Sequence, residues 1–130
     1  MPRRLRVLFV CAMNKRRSAT AGRVYRNDPR VEARSAGVRA NARRRVSEND
    51  LRWADIVFVM ERSHKLAITT RFGDTPGLTL PPIDVLDIPD EFEFMDPNLI
   101  EILETMLDPE IDCRVSKNRM LIAGARPGFS

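Results

Sequence analysis

A cysteine, an arginine and a serine stand at spacings that suit nucleophilic attack on an oxyanion. Cys11 ends the apolar run VLFVC, Arg17 is the sixth residue after it, and Ser18 follows directly. A cysteine thiolate is a strong nucleophile, and a guanidinium can bind two oxygens of a phosphoryl group side by side. The serine hydroxyl can hydrogen-bond the sulfur and help it leave again. The pattern Cys-x5-Arg-Ser therefore predicts a nucleophile directed at phosphorus or another oxyanion centre.

Between the cysteine and the arginine, the chain has a loop suited to hold an anion. Successive amides in a strand-to-helix turn can point inward as an anion-binding nest, and the positive N-terminus of the next helix adds to it. This environment favours a thiolate at Cys11. Asn14 can tie the loop together because asparagine tolerates left-handed backbone geometry. The predicted phosphate-binding loop consists of Ala12, Met13, Asn14, Lys15, Arg16 and Ser18.

Apolar runs and helix signals alternate along the chain and must position this loop. Predicted strands cover 6–11, 31–37, 55–61 and 83–88. Predicted helices cover 18–26, a short segment that starts at Ser47, 62–72 and 96–107. Ser63 is the predicted cap of the third helix, and Asp96 and Pro97 are the predicted cap and first residue of the fourth. This alternation is typical of βαβ units and a parallel sheet. Ligands of such sheets bind beyond the carboxyl ends of the strands, which is where Cys11 stands.

Length and composition are those of one globular domain. The chain has 130 residues, of which 43% are hydrophobic and 31% charged, and it has no run of about 20 apolar residues that could span a bilayer. The basic, short apolar N-terminus is followed by more basic residues and not by a cleavage site, so we expect no signal peptide and a cytoplasmic protein. The two cysteines predict free thiols. We expect one domain over 1–108 and an irregular or disordered tail over 109–130.

Charge is divided into blocks of opposite sign. Residues 1–72 contain 18 Lys and Arg and 6 Asp and Glu, whereas 73–112 contain 12 acids and neither Lys nor Arg. The pI near 9.7 invites a nucleic-acid partner. A fold in which the basic and the acidic part of the chain meet and partly neutralise each other explains the blocks better than a nucleic-acid partner does. The sequence therefore disfavours a nucleic-acid partner. Nothing in the sequence indicates a membrane partner or an oligomeric state.

The segment VLFVCAMNKRRSATAGRVYR resembles the opening of the low-molecular-weight protein tyrosine phosphatases. In that family the first strand runs into Cys-x5-Arg-Ser, with an asparagine three positions after the cysteine. The resemblance continues through RSAGV, WADIVFVMERSHK and LDIPDEF, over about residues 5–108. It is closer to a compact bacterial branch of tyrosine-phosphatase-like proteins than to the better-studied enzymes.

This resemblance implies an α/β fold, a three-layer αβα sandwich with a four-stranded parallel sheet. It also implies phosphomonoester hydrolysis through a phosphocysteine on Cys11, without a cofactor or metal. The implied substrate is a phosphorylated protein or a small phosphomonoester, and the implied ligands are phosphate, sulfate and vanadate.

The chemistry also needs an acid to protonate the departing oxygen. Asp84, Asp87 and Asp90 lie around the end of the fourth predicted strand. In the family the acid usually precedes a proline and an aromatic residue, and Asp90 fits with Phe92 as an aromatic wall, although Glu91 replaces the proline. Asp87 is the reserve candidate. Each of these acids could instead form part of a solvated face that balances the arginines.

Other positions bear on substrate and support. Lys15 and Arg16 make the predicted mouth more cationic than a phosphotyrosine slot, and GVRANARRRV lacks an aromatic wall, so we expect tolerance for anionic phosphoesters or acidic flanking residues. Ser35 could hydrogen-bond the loop or merely cap a strand. His64 is expected to face solvent. Residues 43–45 are either a surface cluster or a docking patch for acidic partners.

Two alternative functions remain open at this point. A phosphate- or phosphoprotein-binding module could have kept the loop and lost turnover. Arsenate reduction on the same scaffold needs resolving thiols, and only Cys113, predicted in the irregular tail, is left for that role. The absence of a second such thiol disfavours arsenate reduction.

Overall fold

The computed structural model describes residues 3–124 and the side chains of residues 3–117. Strands and helices alternate as β1 Leu5–Cys11, α1 Arg17–Val24, β2 Val31–Gly37, α2 Glu48–Trp53, β3 Ile56–Val59, α3 Arg62–Phe72, β4 Ile83–Val85 and α4 Pro97–Gly124. The four strands are parallel, in the order β2-β1-β3-β4. This confirms the expected α/β class and its four-stranded parallel sheet.

The central strand β1 is buried on both faces, which explains its unbroken apolar run. Phe9 and Cys11 belong to a core cluster with residues of α1 and α4. Leu8 and Val10 point the other way, into a second cluster with residues of α2 and α3. Two helices therefore cover each face of the sheet, as a three-layer sandwich requires. Cys11 is the last residue of β1, so its side chain emerges at the carboxyl edge.

Two of the three predicted helix caps agree with the structure. Ser47 caps α2, since its hydroxyl accepts the Asp50 amide at 3.2 Å and the Asp50 carboxylate accepts the Ser47 amide at 3.0 Å. Helix α4 begins at Pro97, directly after Asp96, as predicted. The prediction of Ser63 as the cap of α3 is wrong, because Glu61 occupies that position in extended geometry.

The prediction of an irregular tail from residue 109 is wrong for residues 109–124, which continue α4. Pro109 removes one helical hydrogen bond, yet Ile111 is fully buried in the core. Arg30 adds ion pairs to Asp108 at 3.1 Å and to Asp112 at 2.7 Å. These tertiary contacts offset the cost of the proline. The rest of the predicted tail, residues 125–130, lies outside the described residues.

Hydropathy along the described helices bears on membrane insertion. No helix within residues 3–124 combines the length and the apolar character needed to cross a bilayer.

Candidate active site

The loop between β1 and α1 forms the floor of a cleft of about 280 Å³. Its lining brings together residues that the sequence predicted separately: Cys11, Ala12, Met13, Lys15, Arg16, Arg17 and Asp90. The predicted nucleophile, clamp and first-choice acid therefore surround one space.

The sulfur of Cys11 is held by two hydrogen-bonding groups of its own loop. Its Sγ lies 2.9 Å from the Ser18 hydroxyl oxygen and accepts the Asn14 amide at 3.3 Å. The Ser18 hydroxyl can also donate to Asn14 Oδ1, at 2.9 Å, or to the Ala36 carbonyl, at 3.3 Å. A hydroxyl has a single proton to donate. The Ser18 hydroxyl can therefore donate to the sulfur when Cys11 is a thiolate, and to Asn14 or Ala36 when Cys11 is protonated.

The segment 38–43, which follows β2, orients the peptide groups of the loop. Three of its amides donate to the carbonyls of Cys11, Ala12 and Met13, each at 3.0 Å. In a trans peptide the carbonyl and the next amide point in opposite directions. The next three amides therefore point away from this segment, and that of Asn14 indeed reaches the sulfur. Asn14 itself has a φ of 56°, the left-handed geometry expected for it. The loop thus has the amide orientation that an anion nest requires.

Gly37 allows the segment 38–43 to lie this close. A Cβ atom at Gly37 would stand 2.6 Å from the Ala12 carbonyl oxygen and 2.6 Å from the Ala42 Cβ. Both distances are far inside van der Waals contact, and the first is to backbone that cannot turn away. Sequence reasoning did not single out this residue, although it ends the strand predicted over 31–37.

We expect Gly37→Ala to lower the free energy of unfolding by about 2–4 kcal/mol and to weaken phosphate binding at least about tenfold, because the loop must move away from the new methyl group. Urea unfolding and phosphate titration measure the two effects. Gly22→Ala is the control, since its methyl would lie 3.2 Å from Ser35 Cβ and 3.3 Å from the Ser35 hydroxyl oxygen, contacts that a shift of a few tenths of an ångström relieves. Unchanged phosphate affinity in a folded Gly37→Ala protein would contradict the role assigned to this close contact.

Arg17 is buried, with 3% of its surface exposed, and one nitrogen of its guanidinium is fully used by the protein. Nη1 donates to Glu61 Oε2 at 2.6 Å and to the Ile88 carbonyl at 2.7 Å. Among the described residues, no atom accepts a hydrogen bond from Nε or Nη2, although Asp90 Oδ1 lies 3.7 Å from Nε. The edge that carries Nε and Nη2 is the edge suited to two oxygens of one anion.

Glu61 bonds Arg17 from behind and His64 bonds the Glu61 amide, and sequence reasoning gave neither residue this role. The hydrogen bond from Arg17 lowers the pKa of Glu61, so the carboxylate stays ionised. His64 is buried, so the expectation that it faces solvent is wrong. Its Nδ1 accepts the Glu61 amide at 3.1 Å. Burial, and then the charge of Arg17, lowers the pKa of His64, which favours the neutral ring that this bond requires.

The three acid candidates occupy different surroundings. Asp90 lines the cleft beside Cys11. Asp87 lines a separate depression on the α3 side and has a φ of 56°. Asp84 pairs with Arg114 of α4 at 3.2 Å. The geometry thus favours Asp90, the first choice from sequence. Phe92 does not line the cleft as the expected wall, because it packs half-buried against the core.

Ser35 supports the loop through its main chain. Its carbonyl accepts Asn14 Nδ2 at 3.4 Å and Arg44 Nη1 at 2.8 Å, and its hydroxyl forms neither bond. Arg44 also pairs with the buried Asp50. Desolvation raises the pKa of Asp50, but the bonds from Arg44 and Ser47 outweigh it and lower the pKa overall. Within the 43–45 cluster, Arg44 therefore has a structural role.

No protein-family model matches the chain, and no curated protein matches it. Among solved structures, the YwlE arginine phosphatase from Geobacillus stearothermophilus is 23% identical with a TM-score of 0.62, over 94% of this chain and 97% of that one. The tyrosine phosphatase Wzb from Escherichia coli K30, in complex with phosphate, is 19% identical with a TM-score of 0.63, over 82% and 96%. A low-molecular-weight protein tyrosine phosphatase from Bacillus subtilis is 22% identical with a TM-score of 0.62, over 85% and 99%. The chain therefore has the fold that these phosphatases share.

Proposed function

We propose that this chain, which has the fold of the low-molecular-weight phosphatases, is a cysteine-dependent phosphatase that hydrolyses phosphomonoesters through a phosphocysteine on Cys11. One observation carries the proposal: a thiol, the inward amides of its loop and the Nε–Nη2 edge of a buried arginine, 3.7 Å from Asp90 Oδ1, meet in one cleft. The matched proteins, an arginine phosphatase and two tyrosine phosphatases, support it.

In the first step, the phosphoryl group of the substrate lies in the loop with its non-bridging oxygens on the amides and on Nε and Nη2 of Arg17. These donors stabilise the charge that spreads over the oxygens in the transition state. The Cys11 thiolate attacks phosphorus from the loop side, and the bond to the leaving oxygen breaks on the opposite side. Asp90 gives its proton to that oxygen.

In the second step, Asp90, now a carboxylate, takes a proton from a water that attacks the phosphocysteine. The S–P bond breaks, inorganic phosphate is released, and the thiolate returns. The Ser18 hydroxyl, at 2.9 Å, donates to the departing sulfur. A thiolate that accepts this bond is a better leaving group.

The expected substrate has negative charge beyond that of its phosphoryl group, because Lys15 and Arg16 line the cleft. Among the described residues, no aromatic side chain lines it. Specificity for phosphotyrosine and a cytoplasmic location stay predictions. Assays with phosphotyrosine, phosphoarginine and a small alkyl phosphate would distinguish the substrate classes.

Hydrolysis of a generic aryl phosphate, sensitive to vanadate, tests the proposal. If the wild type binds phosphate but turns over no faster than Cys11→Ser, the chain is a phosphate-binding module and the proposal fails. Arsenate reduction has little structural support, because Cys113 lies exposed on α4. Asp112, next to Cys113, pairs with Arg30, which lies directly before β2 at the amino edge of the sheet. Cys11 lies at the opposite, carboxyl edge, so Cys113 is far from it.

We expect Asp90→Asn to lower kcat for an alkyl phosphate about 100-fold, since the leaving alkoxide then departs unprotonated. The loss should shrink for a nitro-substituted aryl phosphate, whose leaving group needs less protonation. Asp87→Asn is the matched control and should change kcat less than about twofold. The reverse pattern, with the large loss in Asp87→Asn, would assign the acid to Asp87.

A further inference from the structure

We propose that cationic side chains on one side of the cleft dock acidic residues that flank the phosphorylated residue of a protein substrate on one side only. The three cations are Lys15, Arg39 and Arg43, which we call the basic rim. This inference rests on the proposed function and specifies its substrate class.

The backbone fixes where the basic rim lies. Lys15 lines the catalytic cleft. The amides of Arg39 and Arg43 donate to the Ala12 and Met13 carbonyls, so both residues border the phosphate-binding loop. Arg39 also lines a second depression of about 330 Å³, which shares Ala12, Arg17 and Asp90 with the cleft. A peptide whose phosphoryl group occupies the loop and that leaves on this side would therefore pass close to the basic rim.

The charges of the basic rim are exposed and without a protein partner. Within residues 3–117, Lys15, Arg39 and Arg43 form no ion pair, and all three are exposed. Elsewhere many arginines of the same basic half are paired within the chain, as are Arg3 with Asp55, Arg30 with Asp28 and Arg52 with Glu48. The fold thus leaves positive charge without a partner beside the cleft.

The other side of the cleft has the opposite sign. The loop after β4 exposes Glu91 and Glu93, of which Glu93 lies 3.9 Å from Arg16. Because β2 and β4 are the two edge strands, the segment after β2 and the loop after β4 start from opposite ends of the sheet's carboxyl edge, and Arg39 and Asp90 approach the cleft from these two ends. Acidic residues of a substrate would be attracted on one side of the phosphorylated residue and repelled on the other.

This asymmetry favours a short acidic peptide over a nucleic acid. A continuous polyanion that reaches the cleft would run past the acidic loop as well as the basic rim. The basic rim also contains no aromatic side chain on which bases could stack. The partner is therefore a phosphoprotein segment with carboxylates on one side of its phosphorylated residue.

The probes are short peptides that contain a phosphonate analogue of phosphotyrosine and serve as competitive inhibitors of aryl phosphate hydrolysis. They have three glutamates before the analogue, after it, on both sides or on neither. We expect glutamates on one side to lower the inhibition constant about fivefold to twentyfold, glutamates on the other side to raise it, and both effects to disappear near 0.5 M salt.

The double variant Arg39→Ala/Arg43→Ala should bring the ratio of inhibition constants, neutral peptide over acidic peptide, to about one. The control is Arg23→Ala/Arg26→Ala, because both are exposed arginines, in the last turn of α1 and just after it, far from the cleft. It should keep the wild-type ratio. Each ratio is taken within one variant, so a change in catalysis does not affect it.

The inference is overturned if an active wild type shows a ratio near one, or if glutamates on either side act equally. It is also overturned if the double variant keeps the preference, or if a single-stranded oligonucleotide inhibits as strongly as the best peptide. An inactive wild type would instead refute the proposed phosphatase function. The two failures are therefore distinguishable.

Discussion

Cys11→Ser should retain the fold and phosphate binding and lose turnover of an aryl phosphate by about 10⁴-fold or more. A serine hydroxyl is not ionised near neutral pH and is a far weaker nucleophile than a thiolate. The groups that would hold the new oxygen, the Ser18 hydroxyl and the Asn14 amide, stay in place. Steady-state kcat and a phosphate titration measure the two properties separately.

Cys113→Ser is the control for this result, because Cys113 is the second cysteine of the chain and lies exposed on α4. It should leave kcat within about twofold of the wild type. If Cys11→Ser kept more than about one hundredth of the activity, or if Cys113→Ser lost it, the nucleophile would not be Cys11.

Arg17→Lys should lower kcat/KM about 10³-fold, although the positive charge is kept. A guanidinium can bond Glu61 and the Ile88 carbonyl through Nη1 and still present two donors to the phosphoryl group. A lysine ammonium is a compact charge, so it cannot bond the Glu61 carboxylate and two oxygens of the phosphoryl group at the same time. It would stay with the Glu61 carboxylate or leave that carboxylate unpaired, so transition-state stabilisation is lost in either case.

Arg16→Lys is the matched control for Arg17→Lys, since Arg16 is the adjacent arginine and lies exposed at the mouth. We expect a change of less than about threefold. The dissociation constant of phosphate should rise less than kcat/KM falls, because the clamp acts most strongly on the transition state. Equal effects of the two substitutions would mean that general positive charge, and not the orientation of Arg17, is what matters.

Local spacing explains why the sequence could predict that the central residues of the candidate site lie together. Cys11, Asn14, Arg17 and Ser18 lie within one turn between a strand and a helix, so their relative positions follow from local geometry. The apolar run of β1 likewise predicted a strand that is buried on both faces. Asp90 was the first choice from its segment, and it lines the cleft.

Residues brought in by tertiary contacts were missed. The need for Gly37 appears only when the segment 38–43 packs on the loop. His64 stands among polar neighbours in a helix and looked exposed, yet it is buried beside Arg17 and accepts the Glu61 amide. The predicted helix ended at residue 107, but burial of Ile111 and the ion pairs of Arg30 stabilise the helix past Pro109. In each case a contact between residues far apart in sequence decides the outcome, and local sequence does not show that contact.

Covalent trapping of the intermediate tests the central claim most directly. Asp90→Asn protein is mixed with a dinitrophenyl phosphate, whose leaving group needs no acid, so that phosphorylation stays fast while hydrolysis of the phosphoenzyme slows. The reaction is quenched within the first turnover, the protein is digested with a protease, and the peptide masses are measured by mass spectrometry. The account predicts one added phosphoryl group on the peptide that contains Cys11. A burst of dinitrophenol with no phosphoryl group on that peptide, or with the group on another residue, would contradict it.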